Sequence, residues 1–452
     1  MPRYQQYKKY KLTRCSWLKE IPEHWDYKRI KNVATYNDDV LDEQTPPDFE
    51  ITYVDISSVT LTNGIEKTET MIFEKAPSRA RRKVKDGDVI VSTVRTYLKA
   101  IAPISNPPEN MIVSTGFAVI RPNKIFDSTF AGYLLQSDGF VGEVVANSVG
   151  VSYPAINASD LVRISAIEPP LDEQHTIATF LDFKTAQIDA LISKQKILLD
   201  KLAEKRTALI SHAVTKGVEP SVSMKDSAVE WLGEIPSTWN VTRLRFLVKM
   251  SGGMTPSTNK PEYWGGEIPW VSPKDMKSDT INSSIDTLTE QALLDTSISL
   301  YEPNNVLIVV RGMILAHTFP VAINTVPVTV NQDMKVLNTS FNPEYLSYLL
   351  KGIQGLVLSV VEESAHGTKV LRTDVFKNIY LPVPSREEQE RIVKKIREFT
   401  FLIDQQINRI SLLIVRLQEY RSTLITNAVT GKIDVRNFSI PENCESQRTE
   451  CA

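Results

Sequence analysis

Cysteine is almost missing from this chain, with only Cys15, Cys444 and Cys451 among 452 residues. None has the spacing of a metal-ligand pair and three thiols cannot build a disulfide framework, so zinc and redox chemistry are set aside. Long apolar runs are missing as well. Stretches such as Val306 to Val310 stop far short of a membrane span. The opening, Met1 to Tyr10, carries charge with no apolar run behind it, which argues against a signal peptide. A cytoplasmic protein with no membrane partner is expected. Excess charge is the third absence. At a net charge of -2, any contact with DNA has to come from local patches or from partner subunits.

The signatures of the common enzyme classes are missing too. There is no GxxxxGK(S/T) loop for a nucleoside triphosphate and no GxGxxG after a strand. HExxH and GxSxG do not occur, and the five histidines are scattered. Asn106-Pro-Pro-Glu109 resembles the Asn-Pro-Pro-aromatic signature of amino-methylating DNA methyltransferases. Glu109 cannot stack on a base, and no glycine-rich cofactor loop precedes it, which leaves a proline turn. Asp86-Gly-Asp88 reads as a turn into the strand at Val89 rather than a metal loop. The chain is expected to be non-catalytic and to bind no cofactor or metal itself.

What is present is a repeat. Trp17-Leu-Lys-Glu-Ile-Pro-Glu-His-Trp25 returns as Trp231-Leu-Gly-Glu-Ile-Pro-Ser-Thr-Trp239, and residues 173–215 return as 388–430 with 16 of 43 positions identical. One unit has been written twice, and a chain of this kind suits a two-fold partner such as a DNA duplex read at two half-sites. The apolar and charged fractions, 42% and 23%, describe a globular chain long enough for two to four domains.

Each unit opens with strand-like runs. Residues 49–55, 88–94 and 111–120 read as strands in the first copy, and 268–271, 305–310 and 327–330 in the second. Thr129 to Gln136 and Pro343 to Lys351 read as short helices. The tryptophan pairs are expected to anchor the start of each domain. The fold class expected is α+β: two strand-rich mixed α/β domains joined by two long antiparallel coiled-coil helices, with an internal pseudo-two-fold repeat. The boundaries expected are 1–168 and 218–384 for the domains, 169–217 and 385–432 for the helices, and 433–452 for a disordered polar tail.

Each unit closes with a heptad pattern. Ile177, Leu181, Lys184, Ile188, Leu191, Gln195, Leu198, Leu202, Lys205 and Leu209 step by fours and threes, which marks a coiled-coil seam. The second copy gives Ile392, Ile396, Phe399, Ile403, Gln406, Ile410, Leu413, Leu417, Tyr420 and Leu424. Gly217 and Gly431 stop the helices, and Ser385 to Glu388 forms a capping box. A two-fold relation requires antiparallel pairing. The register predicted sets Gln195 against Gln406 as a polar layer, Leu198 against Ile403 and Ile188 against Leu413, with the stems of Lys184 and Lys205 covering the seam.

Candidate nucleic-acid contacts lie in the globular parts. Arg79, Arg81, Arg82 and Lys83 belong to a basic run suited to phosphate, although a solvated surface run reads equally well. Arg95, Tyr97 and Lys99 follow a strand, and Arg311 aligns with Arg95 just after the matching strand. A salt bridge closing the strand end is the other reading of these arginines. Ser251, Gly252, Gly253 and Thr255 form a rigid turn able to approach a backbone closely, with Lys274 as a nearby cation. Asn331 and Gln332 offer amides suited to adenine, unless they serve their own turn.

The Trp-Leu-x-Glu-Ile-Pro-x-x-Trp openings, the helix starts Glu173-Gln174-His-Thr-Ile177 and Glu388-Gln389-Glu-Arg-Ile392, and the Ala-Val-Thr endings at Ala213 and Ala428 resemble the specificity subunit of type I restriction-modification systems. The resemblance runs from Trp17 to about Asp434. Ser-Gly-Gly-Met-Thr-Pro and Ile-Pro-Trp-Val-Ser resemble a common class of target-recognition domain in that family; the first domain lacks both segments, so no base-reading residues carry over to it. The resemblance implies two recognition domains that each read one half of a bipartite target in double-stranded DNA, with the helices as a ruler for the spacer. It also implies docking of two methyltransferase (modification) subunits and, through them, of restriction/translocase subunits. S-adenosylmethionine, ATP and magnesium then belong to those partners. Two other classes are distinguishable: a coiled-coil protein adaptor, which would lack salt-dependent DNA affinity, and a self-sufficient methyltransferase, which would transfer methyl groups alone.

Overall fold

The computed structural model describes residues 4–441. Two compact units divide the chain, one comprising the residues up to Gln195 together with those from Ser411 onward, the other Lys196–Ile410. Each unit thus takes parts of both long helices, Leu171–Lys216 and Arg386–Val429.

The first unit is built on two four-stranded sheets. One runs Ile101–Pro103, Val89–Ser92, Phe117–Pro122, Ala34–Tyr36, all antiparallel. Its central strand, Val-Ile-Val-Ser, is buried on both faces, the environment that β-branched side chains suit best. The other runs Glu69–Ile72, Glu50–Val54, Met111–Ser114, Ala80–Lys83, with a parallel pair in the middle. The continuous strand expected over 111–120 is in fact two. A turn at Thr115 and Gly116 sends Met111–Ser114 into one sheet and Phe117–Pro122 into the other. One apolar run therefore serves two layers.

The second unit repeats this plan in a different sequence. Val248–Gly252, Met334–Thr339, Val306–Val309 and Val321–Asn324 follow the same strand order, with Thr280–Ile281 added at the edge. A parallel pair again stands beside it, Trp264–Val271 with Thr329–Val330, so the run expected over 327–330 keeps only its last two residues as strand. Trp25 and Trp239 are fully buried at the entrance of each unit, and both lie in the main cores.

A buried glutamine ties each long helix to its sheet domain. Gln174 accepts from the backbone N–H of Asp127 at 2.8 Å and donates to the Pro169 carbonyl at 2.8 Å. Gln389 does the same with Asn342 at 2.8 Å and Pro384 at 3.1 Å. Asp127 and Asn342 are in turn the N-caps of Ser128–Gln136 and Pro343–Gly352. Glu173 accepts from the Trp25 indole at 3.0 Å and from the Tyr7 hydroxyl at 2.5 Å. The glutamine at each helix start is therefore a docking device, reinforced in the first copy by Glu173.

Within each unit the two long helices run antiparallel. In the first, Glu173 meets Arg436 while Asp189 meets Arg421 at 3.0 Å. In the second, Arg206 meets Asp404 at 3.4 Å, and Gly217 comes near Glu388. The heptad frame differs from the expected one. Leu191 and Leu198 stand 40% and 42% exposed, while Thr185, Ile192 and Leu202 are buried. On the second helix Gln406 and Leu413 are exposed, with Ile407 and Ile414 turned further inward and Ile403 buried. Ile188 is buried, whereas Gln195, Ile410 and Leu417 are half-buried.

The seam has moved by one residue at every second position. Polar residues fit the shifted frame: the Thr185 hydroxyl donates to the Leu181 carbonyl at 2.7 Å, and Arg206 is half-buried beside Asp404 at 3.4 Å while Lys205 is exposed. Gln406 cannot form half of a buried amide layer. The register moves too: Asp189 pairs with Arg421, whereas the expected register sets it opposite Leu412, a shift of nine residues or about 13.5 Å. The Arg and Asp pairs that mark the observed register are placed identically in the two copies, Asp189 with Arg421 and Asp404 with Arg206.

Residues 433–438, expected to open the polar tail, pack against the first unit. Ile433 and Val435 are buried in the core of the first unit and Phe438 stacks edge-on against Phe180 at 5.1 Å. Asp434 donates its backbone N–H to the Gln5 carbonyl at 2.8 Å. The remainder of the expected tail, 442–452, with Cys444 and Cys451, lies outside the described residues.

Candidate nucleic-acid interface

Few of the cations in the basic run are free. Arg79 pairs with Asp55 at 2.8 Å and donates to the Tyr53 hydroxyl. Arg81 lies over the Phe73 ring at 4.6 Å, and Arg82 is half-buried, its charge disfavoured by burial. Lys85 pairs with Asp39, which Lys85 and Arg121 together hold down at about 2. That leaves Lys83 as the exposed cation of the run with no carboxylate partner among the described residues. The strand Ala80–Lys83 alternates its faces, so adjacent arginines point to different surroundings.

Arg95 is placed quite differently. The strand Val89–Ser92 ends in a 3-10 turn, Thr96–Leu98, flanked by Arg95 at φ 50° and Lys99 at φ 52°. Two non-glycine residues in the left-handed region are held there by a dense local network. Leu98 N–H donates to Arg95 O at 2.8 Å, Lys99 N–H to Thr96 O at 3.0 Å, and Thr96 N–H to Pro154 O at 3.3 Å. The last bond joins a second loop, closed by paired hydrogen bonds between Val149 and Ala155 at 2.8 and 3.0 Å. The Thr96 and Ser148 hydroxyls meet at 2.8 Å. Over this joint the Arg95 guanidinium lies 5.2 Å from the Tyr153 ring. Among the described residues no carboxylate pairs with Arg95 or Arg311, so neither closes its strand end with a salt bridge.

The second unit carries a similar joint with its arginine one residue earlier. Val306–Val309 ends in the turn Met313–Ala316, whose capping residue is Gly312 where the first unit has Arg95, and Arg311 bridges to Val370 where Val94 bridges to Ala155, so the expected alignment of Arg311 with Arg95 shifts by one position. Val370 belongs to the hairpin Val361–Glu363 and Lys369–Leu371. The sequence singles out both arginines but not the second loop in each unit. The signal available was the shared Gly at 150 and 367, ahead of a short extended stretch.

The glycine turn serves the fold. A Cβ on Gly253 would lie 1.8 Å from the Val330 carbonyl oxygen, so the space its missing side chain leaves is filled by this chain's own backbone and not by a phosphate. Met254 N–H donates to that same carbonyl at 3.1 Å and Trp270 donates to Met254 O at 3.1 Å. Ser251 pairs in the strand Val248–Gly252, and Gly252 accepts from the Tyr301 hydroxyl at 2.5 Å. Asn331 is buried and its side chain accepts from Asp333 N–H at 3.0 Å, so its amide serves its own turn rather than a base. Gln332 and Thr255 are exposed and bonded to each other at 2.5 Å, and Lys274 pairs with Asp286 at 2.6 Å. Among the described residues no group of His, Cys, Asp and Glu is arranged to hold a metal ion, and no helix is long and apolar enough to cross a membrane.

Two mixed α/β units with the same strand order, each fastened by a buried glutamine to a long helix and each carrying at a similar joint an arginine that has no carboxylate partner among the described residues, define a duplicated recognition protein. The chain belongs to the type I restriction modification DNA specificity domain family, whose model matches residues 22–200 and 236–412. It is 36% identical over 186 residues to the type I restriction enzyme EcoR124I/EcoR124II specificity subunit of Escherichia coli, covering 40% of this chain and 43% of that relative. The putative MjaX specificity subunit of Methanocaldococcus jannaschii is 23% identical over 92% of this chain and 95% of its own length. A chain from a structure on complex assembly and conformational transition of a type I R-M system matches at TM-score 0.71 and 21% identity, covering 91% of this chain and 99% of that one. That likeness speaks for the fold. The chain spans less than half the length of the first of these relatives in the aligned region.

Proposed function

We propose that this chain is the non-catalytic, DNA-reading specificity subunit of a type I restriction-modification complex. The observation that carries the reading is the joint of turn and loop, present once in each unit, with Arg95 in one and Arg311 in the other. Each unit reads one half of a bipartite duplex target, and the long helices set the unread spacer between the halves. Tyr97, Lys99 and Lys83 in the first unit, with Gln332 and Thr255 in the second, are the further exposed groups placed for contact. The recognition domains correspond to about 1–168 and 218–384.

The helices also dock two methyltransferase subunits and, through them, restriction/translocase subunits. S-adenosylmethionine, ATP and magnesium belong to those partners, in the cytoplasm. Exposed apolar side chains support docking: Leu191 and Leu412 on the helix segments of the first unit, Leu198 and Phe401 on those of the second. Exchanging residues 1–168 for the matching domain of a relative, followed by mapping of methylated adenines in the genome, tests the reading. One half of the motif is expected to change while the other half and the spacer persist. A motif that changes in both halves, or in neither, would refute it.

A further inference from the structure

The joint in the first unit exposes side chains that the fold does not need. Val151 is fully exposed, Tyr153 66%, Tyr97 52% and Leu98 45%. Contiguous apolar groups left in water mark a surface that a partner covers. The sign of the charge around them selects the partner. Residues 93–100 and 148–157 contain Arg95 and Lys99 and no carboxylate, whereas in the second unit Lys369 is paired with Glu363 at 2.6 Å. In a chain whose net charge is -2, a tip of the first unit's composition suits a polyanion. Apolar side chains on a cationic tip also suit the floor of a DNA groove, where thymine methyl groups accept apolar contact.

Arg95 has the geometry of a reader. Its backbone is fixed in the left-handed region, and its guanidinium rests over the Tyr153 ring at 5.2 Å, a cation–π contact that restricts the side chain. A planar fork fixed in this way, with no carboxylate partner, matches the O6 and N7 acceptors of guanine. Resting on the function proposed above, we infer that Arg95 reads a guanine in the half-site of the first unit. Tyr153 is the positioning residue that restricts it, Val151 and Tyr97 pack on neighbouring bases, and Lys99 contacts phosphate.

The test uses the full chain with its methyltransferase subunits. The wild-type motif is mapped first, then binding is measured on duplexes carrying each single base change. Arg95→Ala is expected to weaken binding to the mapped target by roughly 10- to 100-fold and to abolish discrimination at one guanine of one half-site only. Tyr153→Ala is expected to relax the same position, and Tyr153→Phe to retain it because the ring remains. Lys99→Ala should weaken all duplexes alike and lower the slope of log affinity against log salt by about one. If the wild type reads a bipartite motif and Arg95→Ala leaves every position as selective as before, the inference falls and the proposed function stands. If the wild type reads no bipartite motif, both fall. Equal loss at both half-sites with a lowered melting temperature would mean a structural role for Arg95 and would also overturn the inference.

Discussion

Gln389 shows how much a single polar side chain does in this fold. It is buried and makes two hydrogen bonds, one that holds the capping residue of Pro343–Gly352 and one that closes the turn before the second long helix. Truncation would leave the Asn342 N–H and the Pro384 carbonyl without their partner, at about 1–3 kcal/mol for each group so stranded. Gln389→Ala is therefore expected to destabilise the second unit by about 2 kcal/mol or more, read as a lower urea midpoint with an unchanged slope. The Glu-Gln motif is plain in the sequence, but its role is not. Its partner stands 47 positions earlier in each copy, and no spacing rule links a helix start to a cap that far away. The same is true of the basic run. Composition counts its cations, whereas the tertiary pairing of Arg79 with Asp55 and of Lys85 with Asp39 decides which remain free.

At the scale of elements, the long helices were legible because 3.6-residue periodicity is local and neither stretch holds an internal Pro or Gly. The face each turns inward was not. Two heptad frames one residue apart contain similar numbers of aliphatic side chains, and the one observed seats Thr185 and Arg206 beside their partners. The two frames predict different mutants. Leu202→Ala removes a buried side chain and is expected to cost about 2–4 kcal/mol in urea unfolding. Leu198→Ala, at 42% exposure, is expected to cost about 0.5 kcal/mol or less in the same measurement. Equal losses at the two positions would restore the frame read from the heptads. The run at 111–120 reads as one strand instead of two for a related reason: a turn at Thr115 and Gly116 is brief, and nothing local tells one buried strand from two in different layers.

At the scale of the whole molecule, the chain is a duplication whose copies share a strand order that pairwise residue identity barely reveals. Its beginning and its last described segment meet in the first unit. Tyr10 donates to the Gly431 carbonyl at 2.9 Å, Arg436 lies over Tyr7, and Ile433 and Val435 complete the core. A chain ended at Lys432 is expected to lose about 3 kcal/mol or more of stability in the first unit, from two buried aliphatic side chains alone. Hydrogen exchange checks this, since amides of the first unit should lose protection while those of the second keep theirs. Uniform loss across both units would contradict it.

The sequence by itself determined the duplication, the strand-rich character of each globular part, the two long helices and the family, because all of these are written in identity, composition or short-range period. Tertiary structure alone decided which helix faces are buried, which cations are spent on carboxylates, that the Gly253 gap is filled by Val330, and that the loop around Tyr153 joins the turn at Arg95. The physical reason is common to all four. Each depends on a contact between segments far apart in the chain, and the free energy of such a contact is set by partners that no local pattern encodes.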